Sequence, residues 1–282
     1  MIEAIRYDIH CGDKQLDLTQ ACIMGILNVT PDSFSDGGLF ITPEKALAQA
    51  QKMVKEGATI IDVGGESTRP GAEAVTVQQE LDRVIPVIEV INAEVDTIIS
   101  IDTSKPEVMR EAVRAGARII NDVAALQVEG ALATAAELNV PVCLMHMQGE
   151  PRTMQHKPHY NDVVRDVLHF LEHRVEKCLN AGIHARNIII DPGFGFGKSV
   201  AHNYSLIKHV SEFVKTGYPV LIGVSRKSMI GALLEVPADQ RVYASVALAA
   251  IAFQSGIRLF RVHDVKATAD ALAMCQAVAD AE

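Results

Sequence analysis

The 282-residue chain predicts one α/β domain folded as a closed (β/α)8 barrel, the TIM-barrel architecture. Three observations carry that expectation. Short Ile/Val/Leu-rich runs alternate with amphipathic stretches eight times, with no linker or composition break between them. Each run is nearly continuous in apolar residues, as strands covered on both faces require. Each also ends in polar residues, as if all eight opened on one mouth. A doubly wound open sheet is the alternative that the same alternation allows.

Residues 1–20 form a short polar segment ahead of the barrel. The first strand is expected over Cys22–Val29, and its helix over Pro43–Glu56 opens on Thr42-Pro43-Glu44 and stops at Gly57. Strand two covers Ala58–Val63 and its helix Val77–Ile91. Strand three covers Thr97–Asp102, with a helix over Pro106–Ala115 that Ser104-Lys105-Pro106-Glu107 would cap and Gly116 would stop. Strand four is Arg118–Asp122 with helix Gly130–Leu138, and strand five is Val142–His146 with helix Asp162–Ala181. Strands six, seven and eight are Asn187–Asp191, Val220–Val224 and Leu259–Val262, with a helix over Tyr243–Phe253 before the last.

Composition narrows the function. A net charge of −9 argues against a broad nucleic-acid-binding face, so any anion must be held by a local cluster. The five cysteines (Cys11, Cys22, Cys143, Cys178 and Cys275) form no CxxC pair and suit reduced thiols better than disulfides or zinc. The longest apolar stretch, near Val246–Phe253, is too short to span a bilayer, and residues 1–14 carry no apolar targeting core. A soluble, cytoplasmic protein without membrane partners is expected.

The strand ends carry the chemistry. Asp102, Asn121 and Asp191 offer carboxylates and an amide suited to a heterocycle rich in N–H donors, guanine-like or pterin-like. Asp122 reads instead as a turn or helix cap. Arg69, Arg261 and His263, with Asn28 and Thr68, supply donors for phosphate oxygens, and Asn28 offers a hard oxygen to Mg²⁺. Ser225-Arg226-Lys227-Ser228 follows a strand and opens a helix, so Ser228 and nearby N–H groups could receive a carboxylate. Lys227 could reach back over the mouth. Gly193-Phe194-Gly195-Phe196-Gly197-Lys198-Ser199 imitates a nucleotide P-loop, but Pro192 stands where that pattern needs glycine.

Long segments then identify a family. Met24 to Gly38 (MGILNVTPDSFSDGG) and Asp62 to Gly71 (DVGGESTRPG) resemble the two signatures of the dihydropteroate synthases. Ser100-Ile101-Asp102-Thr103, Ile120-Asn121-Asp122, Asp191 to Phe196, Ser225-Arg226-Lys227 and Arg261 to Asp264 follow in the family's order. The resemblance implies a Mg²⁺-dependent, usually homodimeric TIM-barrel transferase of folate biosynthesis. Its reaction joins 6-hydroxymethyl-7,8-dihydropterin pyrophosphate to p-aminobenzoate, and sulfonamides compete for the second substrate. It further implies that Asp102, Asn121, Asp191 and Lys227 hold the pterin. Asn28, Thr68, Arg69, Arg261 and His263 would hold pyrophosphate and metal. Ser228 would face the p-aminobenzoate carboxylate, with Phe34, Pro70 and Phe196 lining an aromatic slot. Lys227, Arg261 and His263 are the catalytic candidates, and His146 reads as structural. A pterin-dependent methyltransferase would keep the barrel but lack the full Ser33-Phe34-Ser35 and Ser225-Arg226-Lys227 elements, and a non-catalytic pterin-binding relative would lack the pyrophosphate cluster; all are present here.

Overall fold

Every expected strand forms in the computed structural model, which describes residues 8–30, 42–67, 74–149, 154 and 158–281. A hairpin of β1 (Asp8–Cys11) and β2 (Lys14–Asp17) comes first. The barrel strands are β3 (Cys22–Asn28), β4 (Ile60–Gly64), β5 (Ile98–Asp102), β6 (Ile119–Asp122) and β7 (Val142–Met145). They continue with β8 (Ile188–Asp191), β9 (Leu221–Ile222) and β10 (Leu259–Val262). Helices α1 (Pro43–Lys55), α2 (Val77–Glu94), α3 (Pro106–Ala115), α4 (Ala131–Leu138) and α5 (Val163–Asn180) follow the first five barrel strands. The rest are α6 (Val200–Lys208), α7 (Ser211–Val214), α8 (Ser228–Leu234), α9 (Val242–Gln254) and α10 (Val265–Ala279).

All barrel neighbours pair in parallel, in the order β8-β7-β6-β5-β4-β3-β10-β9. The ring closes where Ile190 bridges Val220 and donates its N–H to the Pro219 carbonyl at 2.9 Å. The open-sheet alternative is thereby excluded. The seventh strand is shorter than its apolar run predicts, with ladder pairing only at Leu221 and Ile222.

Alternation along the strands sorts the side chains into two cores. Ile23, Leu27, Ile61, Val63, Ile99, Ile101, Leu144 and Ile190 face outward and pack under the helices. Met24, Ile60, Ile98, Ile119, Cys143, Ile189, Leu221 and Leu259 face inward and fill the floor of the barrel. The hairpin closes that floor. Ile9, Cys11, Leu16 and Leu18 join the inward cluster, so the short polar segment expected over residues 1–20 alternates buried and exposed along both strands of the hairpin.

The cap of α3 differs from expectation. Lys105, not Ser104, takes the N-cap position and makes no side-chain cap bond. The Ser104 hydroxyl donates to the Asp122 carboxylate, and Lys105 ion-pairs with Glu66 and the fully buried Glu80. Paired carboxylates on neighbouring elements attract both side chains more strongly than the helix end does.

Candidate active site

On five of the eight strands the same face turns polar two residues above the floor. Ile60 leads to Asp62 and Gly64, Ile98 to Ser100 and Asp102, Ile119 to Asn121, Ile189 to Asp191, and Leu259 to Arg261 and His263. Asn28, Gly64, Asp102 and Asn121 are register partners across four consecutive strands, so their side chains share one level of the barrel. Above the floor lies a cleft lined among others by Asp102, Asn121, Asp191, Phe196, Lys227, Arg261 and His263. These are seven of the expected site residues, brought together from five different segments.

The cleft is built around one guanidinium. Arg261 Nε donates to Asp62 Oδ2 at 2.6 Å, and Nη2 donates to Asp102 Oδ2 at 2.7 Å. Asn121 Nδ2 donates to the same Asp62 oxygen at 3.2 Å, which orients its amide. Burial works against the Arg261 charge, but the Asp62 and Asp102 carboxylates outweigh it and raise its pKa. Asp102 has the opposite problem. Burial, with Asp62 adding negative potential, pushes its carboxyl up to about 7 although Arg261 acts to lower it. Sequence reasoning missed Asp62, which is fully buried and holds both Arg261 and Asn121. Its other oxygen and the buried Ser100 hydroxyl have no hydrogen-bond partner among the described residues.

On the far wall, Asp191 ends β8 with Oδ1 accepting the Gly193 N–H at 2.7 Å. Burial raises its carboxyl, while that N–H and the charges of Lys227, Lys198 and Arg261 oppose the rise. Lys227 stands 4.4 Å above the centre of the Phe196 ring. Burial lowers its ammonium to about 8, even with Asp191 acting to raise it. The strand-to-helix elbow that presents Lys227 is itself strained, because Arg226 has φ 56°. Arg226 is held there by a bidentate pair with Asp264 at 2.9 and 2.5 Å and by Ser245 Oγ, which accepts its backbone N–H at 2.9 Å.

His263 sits deep beside three cations. Burial first, then Arg261, Arg226 and Lys227, lower its pKa to about 3, so it is a neutral imidazole at physiological pH. Ser225 Oγ accepts the His263 backbone N–H at 3.2 Å and lies 3.1 Å from Nδ1. That contact leaves Nε2 as the natural N–H donor toward the cleft.

Other expected roles resolve locally. Asp122 is a structural cap, since its two oxygens accept from the Ala124 and Leu126 N–H groups at 2.7 Å each. They brace a turn in which Ala125 and Leu126 both adopt positive φ, a cost on the order of 1–2 kcal/mol per residue. His146 is structural as well, packed edge-on to Phe170, with burial and the adjacent Lys198 lowering its pKa to about 3. Asn28 lies at the rim and Ser228 is the exposed first residue of α8. Phe34, Thr68, Arg69 and Pro70 lie outside the described residues.

A closed (β/α)8 barrel whose strand ends converge on a polar cleft defines a small-molecule enzyme of the mouth-facing kind. The model of the family described as pterin binding enzyme matches residues 24–263. The dihydropteroate synthase of Haemophilus influenzae is 57% identical over 273 residues, covering 97% of this chain and 99% of that protein. A Yersinia pestis dihydropteroate synthase crystal structure with a sulfonamide drug complex superposes with a TM-score of 0.94 at 51% identity, covering 97% and 100% of the two chains. The Xanthomonas albilineans enzyme in complex with 7,8-dihydropteroate superposes at 0.90 with 49% identity, covering 98% and 100%. The chain belongs to the dihydropteroate synthase family of pterin binding enzymes.

Proposed function

We propose that this chain condenses 6-hydroxymethyl-7,8-dihydropterin pyrophosphate with p-aminobenzoate, yielding 7,8-dihydropteroate and pyrophosphate. The observation that carries this reading is the cleft in which Asp102, Asn121, Asp191 and Lys227 face one another above the barrel floor. Carboxylates and an amide accept from the amino and ring N–H groups of a pterin, and Lys227 donates to its acceptors.

The reaction breaks the methylene C–O bond, with the electron pair leaving on pyrophosphate, and forms a C–N bond to the arylamine. The surplus ammonium proton passes to solvent. Arg261 supplies positive charge for the leaving group, and neutral His263 supplies an N–H without charge. To engage pyrophosphate, Arg261 exchanges its Asp102 contact for phosphate oxygens, which frees the Asp102 carboxylate for the pterin edge. Ser228 and the N–H groups that open α8 receive the p-aminobenzoate carboxylate, and the Phe196 ring gives that slot one wall. Phe34, Thr68, Arg69 and Pro70 complete the slot and the phosphate site by resemblance.

Mg²⁺ belongs to the same proposal. The Asn28 side-chain oxygen lies 3.5 Å from where a Cβ on Gly64 would stand, so glycine keeps the space before it open. Among the described residues no three His, Cys, Asp or Glu side chains could hold a metal on their own. One hard oxygen suits Mg²⁺, which takes most of its ligands from phosphate and water. Bound there, the ion would neutralise charge on the departing pyrophosphate.

Homodimer formation is supported by an apolar stripe at helical spacing on α9. Tyr243, Ala247 and Ile251 are exposed there, and Leu233 and Leu234 are exposed on α8. Sedimentation at twice the 30.5 kDa chain mass is expected, and a monomer at micromolar concentration would contradict it. No helix among the described residues is long and apolar enough to cross a membrane. Buried thiols at Cys11, Cys22, Cys143 and Cys178 suit a cytoplasmic setting, which is part of the proposal.

Pyrophosphate release from the pterin substrate tests the function. Release should accelerate when p-aminobenzoate is added, fall when a sulfonamide competes with it, and stop in excess chelator. Release that ignores p-aminobenzoate would contradict the synthase reading.

A further inference from the structure

The Gly193 to Ser199 segment imitates a phosphate loop, yet its lysine points away from the cleft. Lys198 is only 3% exposed. Its Nζ donates to the Gly193 carbonyl at 2.8 Å, the Phe196 carbonyl at 3.0 Å and the His146 carbonyl at 3.3 Å, and lies 2.9 Å from His146 Nδ1. This one amino group, whose pKa burial holds well below the usual lysine value, therefore draws two carbonyls of its own loop and one of the β7 loop to a single point.

The glycines explain why the two loops need such a pin. Gly193 has φ +69°, and a Cβ there would sit 1.9 Å from the His146 carbonyl oxygen. Gly197 has φ +61°, and a Cβ there would sit 2.3 Å from the Gln148 carbonyl. The loop thus lies backbone-on-backbone against residues 146–148, an approach that only glycine permits. A segment with so many glycines gains little rigidity from side-chain packing and must be held by specific bonds. The Gly195 N–H donates to Asn203 Oδ1 at 2.7 Å and Tyr160 Oη donates to the Gly197 carbonyl at 2.8 Å, and Lys198 ties the Gly193 and Phe196 carbonyls to the His146 carbonyl.

What the loop presents is the far wall of the cleft. Gly193 N–H orients Asp191, and the Phe196 ring lies under Lys227. We propose that Lys198 is a positioning residue for the pterin wall, acting through Gly193 on Asp191 and through the Phe196 backbone on the ring that carries Lys227. This rests on the reading of the cleft as a pterin site. The P-loop-like spelling is then the signature of a buried inter-loop pin and not of phosphate binding.

The test compares the wild-type chain with Lys198→Met, which keeps length and apolar volume while losing every donor. KM for the pterin pyrophosphate and kcat are read well below the thermal midpoint of each protein. The expected result is a pterin KM raised about tenfold or more, with kcat changed by less than about threefold, as for a lost binding-wall constraint. A lowered midpoint with wild-type KM would show a stability role alone and would overturn the positioning role. Lys198→Gln keeps two N–H donors and should give a smaller rise in KM. It answers the same question should the Met variant fail to fold, and a wild-type KM in that variant would again count against the proposal. A wild-type chain that turns over shows that the cleft reading stands whichever way the variants fall. No wild-type turnover would remove both.

Discussion

Replacing Arg261 with Met is expected to cost about 3–5 kcal/mol of folding stability near pH 8, besides abolishing turnover, because it strands two buried carboxylates. Asp62 is fully buried and Asp102 nearly so, and both are tied to this one guanidinium at 2.6 and 2.7 Å. The loss carries a pH signature. Asp102 already titrates near 7 in the folded chain, against an ordinary value of 3.8, so the native state holds its proton more tightly than the unfolded chain does. Such a group costs stability above its folded pKa, and the cost fades as pH falls from about 7 toward 4. Arg261 is what acts to lower that pKa, so removing it enlarges the penalty and raises the pH at which the penalty is complete. Urea unfolding should show the Arg261→Met deficit largest at pH 8 and shrinking toward pH 5. A deficit below about 1 kcal/mol, the level of an exposed ion pair, would mean that Arg261 is not the keystone of the cleft.

The second large effect falls on binding. Asp191→Asn is expected to weaken pterin binding by about 1–3 kcal/mol, the range for losing a charged, buried hydrogen-bond partner. The amide oxygen can still accept the Gly193 N–H that Asp191 Oδ1 now receives at 2.7 Å, so the loop and the fold should survive. Charge is what disappears, and Lys227 reports it. Its pKa of about 8 is set by burial, with Asp191 acting to raise it. Without the carboxylate Lys227 loses its proton at lower pH, and since the charged form is the donor, the alkaline limb of pterin binding should move toward neutrality. Calorimetric titration across pH 6.5–9 separates the outcomes. Unchanged affinity would remove Asp191 from the ring site, and an unmoved alkaline limb would uncouple it from Lys227.

Much of this arrangement was legible in the sequence, for definite reasons. The eight apolar runs announced the barrel because a strand covered on both faces has no polar side to show. Their polar ends announced the mouth. Asp102, Asn121, Asp191, Lys227, Arg261 and His263, which the structure gathers around one cleft, stand out that way, and Pro192 in place of the P-loop glycine argues against the nucleotide reading. Asp62 escaped because it lies inside an apolar run, two residues short of the end. The period of two could have found it, since Asp62 and Ser100 share the inward phase of Gly64 and Asp102. The hairpin escaped for a related reason. Its buried residues are only Ile9, Cys11, Leu16 and Leu18, too few and too interrupted to stand out among the charges of residues 1–20. Pairing was not legible at all. That Arg261 rests on Asp62 and Asp102 depends on residues 199 and 159 positions away, which only the closure of the barrel brings together.

The most direct measurement is a crystal of this chain grown with 6-hydroxymethylpterin. The ring should lie in the cleft with its amino and N–H edge on Asp191 and Asn121 and with Lys227 on an acceptor. Arg261 should remain on Asp62. Ring density elsewhere on the barrel, or in the cleft without contact to Asp191, would contradict the assignment of this mouth as the pterin site.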